Sequence, residues 1–139
     1  MKANTNILKE TQKEAAQQLL STIIEGVLDK KAYEVVSLDL TNIEEAMADY
    51  LVICEGNSPT QVRAIAENVE YEVKHRLREY PLSKEGYRSS EWVLIDYANI
   101  VVHVFLKERR TFYGLEELWG DAATTTHYAE DGSSSVSIS

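Results

Sequence analysis

Apolar residues recur at three- and four-residue spacing between about Thr11 and Lys30: Ala15, Ala16, Leu19, Leu20, Ile23, Ile24, Val27 and Leu28. That period gathers them on one stripe of an amphipathic helix. Residues 33–40, YEVVSLDL, then read as a strand. Residues 41–49, TNIEEAMAD, connect it to a second strand over 50–55, which Gly56 and Asn57 stop. Ser58-Pro59-Thr60-Gln61 marks a helix start. Ser58 and Gln61 can form a capping box, and Pro59 stands at the first helical position, where its missing N–H costs nothing. Val62, Ile65, Ala66, Val69, Val73 and Leu77 give this second helix its stripe to about Glu79. Tyr80-Pro81 ends it, because the residue before a proline avoids the helical region. After a loop with Gly86, residues 90–105, SEWVLIDYANIVVHVF, read as two strands around a turn. A last helical pattern over 107–119 places Phe112, Leu115, Leu118 and Trp119 on one face before Gly120.

The order α-β-β-α-β-β-α predicts an α/β (α+β) fold with a mixed four- to five-stranded sheet and flanking helices. Strand two, the long helix and strand three predict a parallel crossover pair, and strands three and four an antiparallel hairpin. Residues 1–10 are polar and expected to be flexible. Residues 11–122 form the single predicted domain. Residues 123–139 have too little apolar content to fold alone and are expected to be disordered.

The hairpin breaks the usual rule that a half-buried strand alternates apolar and polar residues. If Ala98-Asn99 is a two-residue turn, Tyr97 lies opposite Ile100. Trp92, Leu94, Asp96, Val101, His103 and Phe105 then share one face, and Val93, Ile95, Tyr97, Ile100, Val102 and Val104 the other. A one-residue change in loop length would keep each strand's own set but swap which sets lie together. Both faces need cover. The long helices can cover one. The C-terminal helix, a second copy of the chain or another protein could cover the other. An indole buries about 150–250 Å², which corresponds to roughly 4–6 kcal/mol. Trp92, with Asp96 on the same side, is therefore a candidate anchor for a basic partner.

Composition narrows the functional classes. The chain has 139 residues, 44% of them hydrophobic, and a formal net charge of −9. That charge disfavours direct binding to nucleic-acid phosphate and suits a basic protein partner. No apolar run approaches the roughly 20 residues of a membrane span. The N-terminus lacks a secretory apolar core, and Cys54 is the only cysteine. A reducing, cytoplasmic location is the expectation.

Catalytic chemistry finds little support. His75, His103 and His127 are far apart, with no short zinc-type spacing, so no metal is expected. Glu55-Gly56-Asn57-Ser58 precedes a helix N-terminus but lacks the lysine and repeated glycines of a phosphate loop. Asp39 and Asp96 are single carboxylates on different strands. A nucleotide-dependent, nucleotidyltransferase-like enzyme is the alternative reading; it rests on those two aspartates with Gly56 and Ser58.

Four stretches agree with one family: VSLDL (36–40), ADYLVICEGNSPTQVRAIAENV (48–69), SSEWVLIDYANIVVHVF (89–105) and ERRTFYGLEELWGDA (108–122). Together they resemble the ribosomal silencing factor family, also called RsfS or Iojap, over roughly residues 15–122. The chain departs from the family at Ala98, where glycine is common, and in its Ser-rich tail. The resemblance implies an α/β fold similar to nucleotidyltransferases without their catalytic carboxylates, no enzymatic activity and no cofactor. It implies binding to the large-subunit ribosomal protein numbered fourteen, which blocks docking of the small subunit and represses translation in starvation or stationary phase, with a part in large-subunit biogenesis. Carried over by residue, the contact surface includes Trp92 and Asp96, then Leu94, Val101 and His103, and finally Tyr113 and Glu116. The same patch implies a homodimer in the free protein.

Overall fold

The structure is a computed structural model. It describes residues 2–113, 120, 122–129 and 137–138, with backbone alone at 2–6, 111–113 and 137–138. Its helices are α1 (Lys2–Asp29), α2 (Pro59–Leu77) and α3 (Lys107–Tyr113). Its strands are β1 (Tyr33–Asp39), β2 (Tyr50–Gly56), β3 (Ser83–Glu85), β4 (Trp92–Asp96), β5 (Ile100–Leu106), β6 (Ala123–His127) and β7 (Ser137–Ile138). All seven strands form one mixed sheet in the order β3-β4-β5-β2-β1-β6-β7.

The predicted core elements are present, and four expectations change. First, the parallel partner of β2 is β5, the second hairpin strand, and not β4; Val52 lies opposite Val102 and Cys54 opposite Val104. A central strand must be apolar on both faces. In β5, Ile100, Val102, His103, Val104 and Phe105 are all buried, whereas β4 leaves Trp92, Leu94 and Asp96 half-buried. The more thoroughly apolar strand takes the inner place.

Second, α1 begins at Lys2, not near Thr11. The apolar stripe marks only the packed part of the helix. The segment before it has no glycine or proline to stop a helix already nucleated downstream. Third, the tail expected to be disordered contributes β6, in which Thr125 pairs with Ser37 and Thr126 with Val36. Main-chain pairing to the β1 edge does not need an apolar side-chain pattern, and Thr is a good strand residue. Fourth, β3, β6 and β7 widen the sheet beyond the expected four or five strands.

The α2 start follows the capping rule. The Gln61 amide donates to Ser58 Oγ at 3.1 Å. The Gln61 side chain accepts from the Asn57 amide at 2.8 Å and donates to the Lys31 carbonyl at 3.1 Å. One glutamine thus ties the end of α1 to the start of α2. Asn68 adds a second tie, donating to the Gly26 carbonyl at 2.8 Å. The two helices lie on one sheet face. Leu19, Ile23, Val27, Ile65, Val69 and Val73 pack there against Val52, Cys54, Val93, Ile95, Val102 and Val104. Cys54 is fully buried and burial pushes its thiol up to about 12, so it behaves as a small hydrophobe.

The hairpin register is the one a two-residue turn gives: Trp92 opposite Phe105, Leu94 opposite His103, and Asp96 opposite Val101. At its turn Ala98 has φ +75°, and the Asn99 amide donates to the Tyr97 carbonyl at 3.0 Å. A left-handed alanine carries a steric cost that glycine would not. Asp96 offsets part of it, since its Oδ1 accepts the Ala98 amide at 2.7 Å.

Candidate partner-binding face

The sheet face opposite α1 and α2 is covered unevenly. Near β1 and β2, Val36, Leu38, Leu40, Leu51, Ile53 and Phe105 form a second buried cluster, and Ile43 and Ala46 of the β1–β2 loop pack onto it. At the other end of the face, α3 closes down through Arg110. Its guanidinium donates to Glu55 Oε1 at 3.2 Å and also to the Glu34 carbonyl, with both members of the Arg110–Glu55 pair only 8% exposed. Arg109 adds an exposed tie to Glu91, at 2.8 Å, just before β4. Among the described residues, a half-open strip made by β4 and the outer part of β5 runs between these covers.

The strip holds five of the seven predicted site residues. Trp92, Leu94, Asp96 and Val101 are half-buried, and His103 is buried beneath them. The indole N–H of Trp92 donates to His103 Nδ1 at 2.9 Å. The Trp92 and Phe105 rings stack with centroids 5.2 Å apart. Alternation along β4 and β5 aims all of these side chains to the same side, and the tryptophan is held from two directions before any partner arrives. Asp96 spends one oxygen on the turn. Glu116 lies outside the described residues, as does the side chain of Tyr113, the last residue of α3.

His103 is neutral here for a physical reason. Burial pushes its imidazole down from 6.5 to about 4. A neutral ring offers Nδ1 as the acceptor that the indole requires. Between those two values the unfolded chain binds the proton and the folded chain does not, so stability falls as pH drops through that window. The loss reaches about 3 kcal/mol at its acid end. Urea melts of the parent and of His103→Gln between pH 7 and 4.5 should show the parent losing roughly 2 kcal/mol more than the variant over this range. Equal losses would show that His103 does not drive the pH dependence.

The aspartates of the enzyme alternative do not converge. Asp39 shares the register row of Tyr50 and Ile100, on the face of the long helices, whereas Asp96 shares the row of Val101 and Leu51 on the half-open face. Three strand spacings also separate them, about 14 Å. Asp39 Oδ1 accepts from both the amide and the hydroxyl of Thr41, at 2.9 and 2.6 Å, which is a turn cap.

Sequence reasoning missed two parts of this face. The Glu55–Arg110 pair had a signal, since Glu55 is the one charged residue in an otherwise apolar strand. The β1–β2 loop had none, because its residues follow neither the helical nor the strand period.

Residues 13–137 match the family described as ribosomal silencing factor during starvation. The chain belongs to the ribosomal silencing factor family. The RsfS protein of Halalkalibacterium halodurans is 46% identical over 111 residues, spanning 78% of this chain and 91% of its own. A crystal structure of a Chromobacterium violaceum protein superimposes with a TM-score of 0.71 at 33% identity, covering 75% of this chain and 85% of its own. More distantly, a mouse protein named mitochondrial assembly of ribosomal large subunit protein 1 is 35% identical over 78 residues, 55% of this chain and 34% of its own. The silencing factor match extends through β6 and ends at Ser137, the first residue of β7, so β6 falls within the family region.

Proposed function

We propose that this chain is a non-catalytic translation repressor that docks on the large ribosomal subunit and prevents the small subunit from joining. The observation that carries the reading is the half-open strip around Trp92. An aromatic anchor flanked by apolar side chains is held in place, partly desolvated, on a strip that the described residues leave half-open. The family description supplies silencing and starvation, and the name of the mouse relative supplies the large subunit. The net charge of −9 suits a basic ribosomal protein. The docking partner is the large-subunit protein numbered fourteen, and action is by steric occlusion of the surface the small subunit needs. Such a contact should bury above about 1,000 Å² in total. The protein works in the cytoplasm. When free, two copies pair through the same strip, so dimer and ribosome complex compete.

The test is subunit joining followed by light scattering. Large subunits preincubated with the protein should fail to associate with added small subunits, in proportion to occupancy. Unchanged association at saturating protein would refute occlusion.

A further inference from the structure

Beside the Trp92 strip lies a shallow depression of about 320 Å³. Leu40, Leu51, Val101 and His103 line it, and Glu45 and Met47 of the β1–β2 loop form part of its rim. Val101 and His103 belong to the strip as well, so the depression and the strip are one continuous surface. Met47 is 96% exposed. The loop that carries it is closed by main-chain hydrogen bonds. Its base is closed by the Leu40 amide donating to the Asp49 carbonyl at 2.8 Å, and two successive turns follow, from Ile43 to Leu40 and from Ala46 to Ile43. Ile43 and Ala46 pack downward onto the second cluster. The same turns hold Met47 in solvent at the edge of an apolar hollow.

The charge around the hollow is one-sided. Glu44, Glu45 and Asp49 are exposed, and residues 40–49 contain no lysine or arginine. An isolated exposed methionine means little. An exposed methionine beside an apolar hollow with an acidic rim has the form of a recognition element, since its flexible thioether adapts to a partner surface. Opposite charge would select that partner and speed its approach.

We infer that the β1–β2 loop is the second half of the docking face. Met47 packs against the partner, the hollow over Leu51 and Val101 accepts one apolar side chain from it, and Glu44, Glu45 and Asp49 select lysines or arginines that flank that side chain. The inference rests on the docking reading above and names the chemistry of its occupant: an apolar residue set among basic ones on a large-subunit protein.

The experiment uses the full chain, fluorescently labelled, titrated with purified large subunits at low and high salt. Met47→Asp places a charge at a fully solvated site and should leave the melting temperature unchanged, yet weaken binding by about tenfold or more, the size expected for an interface anchor. A Glu44→Gln, Glu45→Gln double variant should bind several-fold more weakly at low salt, and the difference should vanish at high salt. Trp92→Ala is the reference. If Trp92→Ala weakens binding while Met47→Asp binds like the parent, the loop is not part of the interface and this inference fails alone. If both bind like the parent, the docking face itself is misplaced and the inference fails with it. A double variant with parental affinity at low salt would overturn the basic character assigned to the partner.

Discussion

Gly86→Ala should lower the melting temperature by roughly 10 °C or more, a loss of about 3 kcal/mol. Gly86 has φ +91°, a region that residues with a side chain rarely adopt. Space is the larger problem. A Cβ built there would sit 1.9 Å from the Trp92 carbonyl oxygen and 3.1 Å from the Val93 Cα. Both are main-chain atoms of β4 and cannot rotate away. The loop carrying Gly86 is held in turn, since its carbonyl accepts the Ser90 amide at 2.9 Å. The alanine variant must therefore push the start of β4 outward, which also displaces the Trp92 anchor. Circular-dichroism melts decide the point. A variant melting within about 2 °C of the parent would mean that the loop yields freely and that Gly86 does not set the position of Trp92.

Glu55→Ala should cost about 3–5 kcal/mol, the range for removing one member of a buried ion pair. The register row runs Trp92–Phe105–Glu55 across three adjacent strands, so the pair fastens α3 beside the aromatic end of the half-open face. Without Glu55, the buried Arg110 guanidinium loses the carboxylate it faces in β2. The double variant Glu55→Ala, Arg110→Met removes that charge as well and should recover about 1–3 kcal/mol relative to the single variant. Urea denaturation of all three proteins measures the coupling. A double variant less stable than Glu55→Ala would show that Arg110 contributes mainly through other contacts, such as the one to the Glu34 carbonyl.

The two sets of side chains in the hairpin were legible in the sequence because a period of two admits only two face assignments, and the observed register is the one a two-residue Ala98-Asn99 turn gives. The α2 start was legible because Ser58, Pro59 and Gln61 each act within one turn of the chain. Strand order was not. Local pattern does not tell which hairpin strand lies inside; that depends on how completely each of β4 and β5 can be buried, and His103 in β5 looks polar until its bond to Trp92 is known. Strand β6 was illegible for a related reason, since its pairing with β1 is a main-chain interaction and its Thr side chains resemble those of a loop. On the candidate face, Trp92 and Asp96 stood out by residue type and position. The role of the β1–β2 loop depended on where its turns place Met47, and that is a tertiary fact.

The proposed docking of the large subunit on the strip around Trp92 makes that indole the decisive side chain. The most direct test is the affinity of Trp92→Ala for purified large subunits, measured by gradient cosedimentation with the folded state checked by melting. The variant should fold and bind more weakly by about 2 kcal/mol or more, roughly thirtyfold. A folded Trp92→Ala protein that cosediments with large subunits as well as the parent does would contradict it.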